Sequence, residues 1–149
     1  MNSPFSVEQA HDSSGFLLWQ VTALWQRQIA SALRPYGLTQ VQFVLLASTL
    51  WLSQSESNIT QIRLAKHAKL DIMMTSQVLR TLERKGWLTR EPHPTDSRAK
   101  IITLTEQGIA LARVAIPVVE QIDQDFFASQ TLSQHEFNHA LQQLIIQGE

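Results

Sequence analysis

Ser76, Gln77, Arg80, Thr81 and Arg84 fall within nine consecutive positions and bear hydroxyl, amide and guanidinium groups. Groups of this kind read base-pair edges: arginine forks onto guanine, and glutamine pairs with adenine. On a wheel at about 100° per residue, Ser76, Gln77, Arg80 and Arg84 share one side of a helix over residues 72–85. Thr81 lies at the margin of that side, opposite an apolar arc of Met74, Val78, Leu79, Leu82 and Gly86. Shortly after, residues 92–99 form a polar loop stiffened by Pro92 and Pro94 and tipped with Arg98. A rigid loop holding an arginine suits a narrow minor groove, where the negative potential is strongest. Arg90, Ser97 and Lys100 flank that tip as further DNA-contact candidates. Phosphate would repel Asp96, so its expected role is to pair with Arg98, or with the partner subunit, and fix the arginine's direction.

These groups belong to a strongly biased stretch of a 149-residue chain. The net charge is −1, from 12 Lys and Arg against 13 Asp and Glu. Residues 60–100 carry nine of those bases and four of the acids, a local balance of +5, which leaves −6 for the rest. A basic block inside an acidic chain points to a polyanionic partner, most often nucleic acid. The composition, 44% apolar and 17% charged, excludes a disordered tail. No apolar run approaches the roughly 20 residues of a membrane span, and residues 1–12 lack the order of a secretory signal. The absence of cysteine excludes disulfides, thiolate metal sites and thiol chemistry, and fits a reducing, cytoplasmic setting.

The elements that must position the candidates can be read from caps and periodicity. Ser13 or Ser14 caps a helix to about Leu33, ended by Arg34-Pro35. Thr39 to Gln42 is a capping box opening a helix over 41–52, apolar almost all round and expected to be buried on most sides. Thr60 caps a short helix with Ile62, Ala65 and Ala68 inward, and Asp71 caps the reading helix. Gly86 stands where a left-handed stop belongs. Strands follow at 88–91 and 100–104, with Ile102 and Leu104 on one face. Thr105 caps a long helix to about Ala128, in which Pro117 predicts a kink. A second capping box, Ser133 to Glu136, opens the last helix.

The stretch from Leu79 to Gly108 resembles the MarR-family winged-helix signature. The residues that carry the likeness are Leu82-Glu83-Arg84-Lys85-Gly86-Trp87-Leu88-Thr89-Arg90, then Asp96-Ser97-Arg98, then Leu104-Thr105-Glu106-Gln107-Gly108. The helix order on both sides agrees, so the likeness spans nearly the whole chain. It implies a mainly α fold with a small β-hairpin wing, a winged helix-turn-helix flanked by N- and C-terminal dimerisation helices. It also implies a homodimeric bacterial regulator, usually a repressor relieved by small, often aromatic, ligands. Ser76-Gln77 stands where many members have threonine before a basic residue, so operator preference does not transfer. Redox sensing through a cysteine near the first helix is excluded here.

The expected division is residues 1–38 for dimerisation, 39–104 for the DNA-binding winged helix, and 105–149 for dimerisation. The outer helices carry stripes such as Ile109, Ala112, Ile116, Val119, Ile122 and Phe126, then Phe137, Leu141, Leu144 and Ile145. Left uncovered in one small subunit, they call for a partner, and an identical copy on a two-fold axis is the common solution. Two reading helices would then sit one turn of DNA apart, roughly 34–36 Å, on a palindromic operator. An effector is expected between the outer helices and the basic module, with Phe16 and Trp19 as apolar contacts and Arg34 or Arg63 as carboxylate partners. Two rival readings stay open: a winged-helix module docking an acidic protein, and a metal-responsive regulator through His135 and His139, four apart on one helix. No nucleophile elbow or phosphate-binding glycine loop is present, so no enzyme is expected and no cofactor is assigned.

Overall fold

Each α-helix of the chain opens on a side chain that accepts one of its own unpaired amides. The computed structural model describes residues 2–149. Within it, α1 (Ser14–Leu33) is capped by Ser13, α2 (Gln40–Ser53) by Thr39, and α3 (Gln61–Ala68) by Thr60. Asp71, Thr105 and Ser133 do the same for α4 (Ile72–Arg84), α5 (Glu106–Phe127) and α6 (Gln134–Gln147). Such caps recover orphaned donors worth about 1 kcal/mol each, so helix starts are legible in the sequence. The Thr39–Gln42 box is reciprocal, at 3.2 and 3.1 Å. At Ser133 one half is made, Glu136 N donating to Ser133 Oγ at 3.1 Å. A short 3-10 turn, Ala10–Asp12, precedes α1, and another, Arg34–Tyr36, ends it against Pro35.

Between α4 and α5 lies the hairpin of β1 (Leu88–Pro92) and β2 (Lys100–Leu104), antiparallel with Leu88 opposite Leu104 and Pro92 opposite Lys100. Ile102 N donates to Ile59 O at 2.8 Å, and Thr60 bridges Ile101, so the segment before α3 zips onto the hairpin. Gly86 sits at φ +81°, the left-handed stop of α4. Gly108 has another reason to be glycine: a Cβ there would overlap the Trp87 carbonyl. The same carbonyl accepts from Thr105 N at 3.1 Å, and Thr105 Oγ1 donates to Gly86 O at 2.7 Å. The start of α5 is thereby bolted to the end of α4.

One core runs through these elements: Ile29 and Leu33 of α1, Leu45 and Leu46 of α2, Leu64, Leu79, Leu82, Leu88, Ile102 and Ala115. α1 packs on α5, and α2 lies among α3, α4, β2 and α5.

α2 is buried on most sides, as its apolar pattern predicts: over residues 41–52 only Trp51, near its end, is exposed. Three packing expectations are corrected. Ile62 faces out, and Leu64 takes the inward place in α3. In α4 the buried line is Thr75, Leu79 and Leu82, and Met74 is exposed. Thr75 tolerates burial because its Oγ1 donates to Asp71 O at 2.8 Å. α5 continues unbroken through Pro117, which lies on its exposed side. α6 buries none of its residues; it meets the body through Phe137 on Phe127, with centroids 5.4 Å apart, and its C-terminal neighbour Glu149 pairs with Lys69 at 3.3 Å.

Candidate nucleic-acid interface

α4 displays Gln77, Arg80 and Arg84 to solvent, with Ser76 and Thr81 half-buried beside them. Arg84 Nη2 donates to Thr81 Oγ1 at 3.1 Å, which aligns the guanidinium along the helix. The one acid inside α4, Glu83, points away from this stripe toward the hairpin, where it accepts from Arg90 N at 3.0 Å. The stripe is therefore cationic and amide-bearing, on a helix held rigidly by α2, α3 and β1.

Arg90 requires a correction. It was expected as a DNA contact on the wing, but its side chain is only 17% exposed. Its Nε faces Glu83 Oε1 at 3.4 Å and its Nη1 donates to Gln61 Oε1 at 2.8 Å. A cation enclosed by two acceptors is a brace joining α3, α4 and β1, with Glu83 as its ion-pair partner. Sequence reasoning missed Glu83 and Gln61 in this role. The available signal was an acid inside an otherwise basic stretch.

At the hairpin tip Arg98 is 92% exposed, its Nε 3.5 Å from Asp96 Oδ1. Arg98 N also donates to Asp96 Oδ1 at 3.1 Å. His93 Nδ1 accepts from the amides of Thr95 and Asp96, each at 3.2 Å, so the loop is tied from within. Ser97 is exposed and Lys100 half-buried at the base of the hairpin. Gln77, Arg80 and Arg84 on α4 and Arg98 on the wing are thus exposed groups on two elements, Arg84 steadied by Thr81 and Arg98 by Asp96. Lys85 is engaged elsewhere, over the Trp87 ring at 4.9 Å and donating to Gly37 O at 3.3 Å.

The four effector candidates are not brought together. Phe16 and Trp19 lie exposed on the N-terminal half of α1, Trp19 lining a shallow groove of about 310 Å³ with Leu18 and Gln26. Arg34 follows the other end of α1, about 22 Å along from Trp19 at helical rise. Arg63 is already taken, donating from Nε and Nη2 to the two Glu56 oxygens at 2.9 Å each. That fork holds the Glu56 carboxyl below its ordinary range and raises the Arg63 guanidinium. A larger groove, about 540 Å³, lies between α5 and α6 around Phe127 and Phe137. Among the described residues no group of three or more His, Cys, Asp or Glu is placed to hold a metal, and His135 and His139 belong to none.

The arrangement has clear relatives. The MarR family profile matches residues 38–100. Over 133 residues the chain is 44% identical to the HTH-type transcriptional regulator YdcH of Bacillus subtilis, covering 89% of this chain and 90% of that protein. It is 37% identical over 131 residues to the HTH-type transcriptional repressor Rv2887 of Mycobacterium tuberculosis, covering 87% and 91%. The structure of Rv2887 in complex with salicylic acid superposes with a TM-score of 0.65 at 36% identity, over 89% of this chain and 96% of that one. A mutant MarR from E. coli complexed with operator DNA superposes with a TM-score of 0.75 at 26% identity, over 88% and 91%. With the reading helix, the hairpin wing and near full-length likeness in agreement, this chain belongs to the MarR family of HTH-type transcriptional regulators.

Proposed function

We propose that this regulator represses transcription by binding a palindromic operator as a homodimer, and that a small aromatic effector releases it. The observation that carries this reading is the acid-free stripe of Gln77, Arg80 and Arg84 on a rigidly mounted helix. Gln77 and Arg80 would read bases in the major groove, Ser76, Thr81 and Arg84 would add base or phosphate contacts, and Arg98 with Ser97 and Lys100 would follow the minor groove. Asp96 orients Arg98. Residues 39–104 form the reading unit, and residues 1–38 and 105–149 couple two copies, which accounts for the apolar surface left on α1 and α6. The protein then acts by binding, without catalysis, in the cytoplasm where the chromosome lies.

Release needs an effector that prefers a dimer of the wrong spacing. A tenfold loss of DNA affinity requires about 1.4 kcal/mol of such preference. Rv2887, crystallised with salicylic acid, supports an aromatic acid as the class. Trp19 and Phe16 on α1, with Arg34, are its candidate contacts where α1 meets the partner; Arg63 would serve only by leaving Glu56.

The test is selection of duplexes from a random pool, followed by salt titration. A dimer neutralising 6–10 phosphates loses ~10³–10⁵ in affinity between 50 and 200 mM salt while still distinguishing selected from scrambled duplexes. Equal, weak binding to both would instead favour a module that docks an acidic protein.

A further inference from the structure

The outward stripe of α4 does not begin with a polar residue. Met73 is 73% exposed, and on the helical wheel it falls between the directions of Gln77 and Arg80, within about 40° of each of Gln77, Arg80 and Arg84. Ile72 beside it is 57% exposed. Asp71 caps this turn through Met74 N at 2.9 Å, so the position of Met73 on the helix is set by the same contact that starts it. Two large apolar side chains facing water at the head of a cationic stripe would gain burial free energy if the bound partner covered them. A reading helix contacts base edges chiefly through its N-terminal residues. There, the apolar feature of the major groove is the 5-methyl group of thymine.

We infer that Met73 is a specificity-determining residue that packs on a thymine methyl in each operator half-site, with Ile72 closing its flank. The inference rests on the DNA-binding reading above and adds a base preference to it. The basic neighbours Arg80 and Arg84 select the occupant: a second protein surface placed over Met73 would have to desolvate both guanidiniums, whereas DNA supplies phosphates and guanine edges for them. The thioether chain is long and flexible enough to follow a methyl group without demanding one rotamer.

The experiment uses the full chain and duplexes selected from a random pool. Thymines are replaced one at a time by deoxyuridine, which pairs identically but lacks the methyl. Removing one buried methyl should weaken wild-type binding about fourfold. Met73→Ala should bind the parent duplex less tightly and be indifferent to that same replacement, with an unchanged melting temperature. The inference is overturned if no thymine in the selected duplexes matters. It is also overturned if the loss persists undiminished in Met73→Ala, since the methyl would then act through duplex stiffness or another side chain. Dissociation of the protein caused by Met73→Ala would overturn it too, assigning Met73 to a contact between copies. Failure to select any duplex would instead sink the DNA-binding reading itself, and this inference with it.

Discussion

Arg98 projects from the hairpin tip almost fully exposed, whereas Arg90, eight residues earlier, is enclosed by Glu83 and Gln61. The same side-chain chemistry therefore leads to opposite expectations. Arg98→Ala should weaken binding most on duplexes whose minor groove is narrow under the wing, lower the salt slope by about one per subunit, and leave the melting temperature in place. Arg90→Ala should do the reverse. It leaves Glu83 partly buried without its cation, at about 1–3 kcal/mol of stability, and should not change the salt slope once the protein is folded. Thermal melts and salt titrations of the two variants side by side decide between brace and contact. A cation's neighbours, not its identity, set its role.

Two junctions govern how the elements stand relative to one another. Gly108 lets the first turn of α5 lie on the Trp87 carbonyl, so Gly108→Ala must push α5 off the segment that joins α4 to β1. We expect a loss of about 1–3 kcal/mol in denaturant titrations, from overpacking against backbone that cannot move aside. The second junction is the Glu56–Arg63 fork, which ties the loop after α2 to α3. The Glu56 carboxyl has a lowered pKa, first because of the hydrogen bond from Arg63. A depressed carboxylate contributes stability that is present above its unfolded value, about 4.3, and is lost as pH falls through the lower folded value. Wild type should therefore melt higher than Glu56→Gln at neutral pH, with the difference shrinking as pH drops below the ordinary carboxylate range. A difference that does not depend on pH would show that the fork contributes nothing through charge.

At the scale of the molecule, the apolar surface is concentrated on the outer helices. Trp19 and Leu18 of α1 and Leu144 and Ile146 of α6 are all more than half exposed. Covering a single such side chain contributes about 1.5–3 kcal/mol, so a few of them suffice to join two copies. Leu144→Asp should shift sedimentation toward the single subunit and weaken binding to a duplex with two half-sites far more than to one half-site. The melting of the winged helix should change little, since α6 buries nothing in its own subunit. If Leu144→Asp left both sedimentation and binding unchanged, α6 would not be the coupling surface. The Lys69–Glu149 pair, 80 residues apart, joins the end of this outer helix to the turn before the reading helix.

Read alone, the chain determined its helix starts, the left-handed stop at Gly86, the two strands and the cationic face of α4. Each of these is set within a few residues, by a cap, a φ angle or a period. What the sequence left open was phase and partnership. Periodicity gives α4 a buried side on which Thr75, Leu79 and Leu82 lie, but the contacts with α2 and α3 set its phase so that Met74, at the edge of that side, came out. The same non-local packing exposed Ile62 and Trp51. Arg90 looked like one more wing cation because Gln61, 29 positions away, is its neighbour only after folding. The reason is physical: local hydrogen bonds and backbone torsions are written in adjacent residues, whereas burial and charge pairing depend on which surfaces meet.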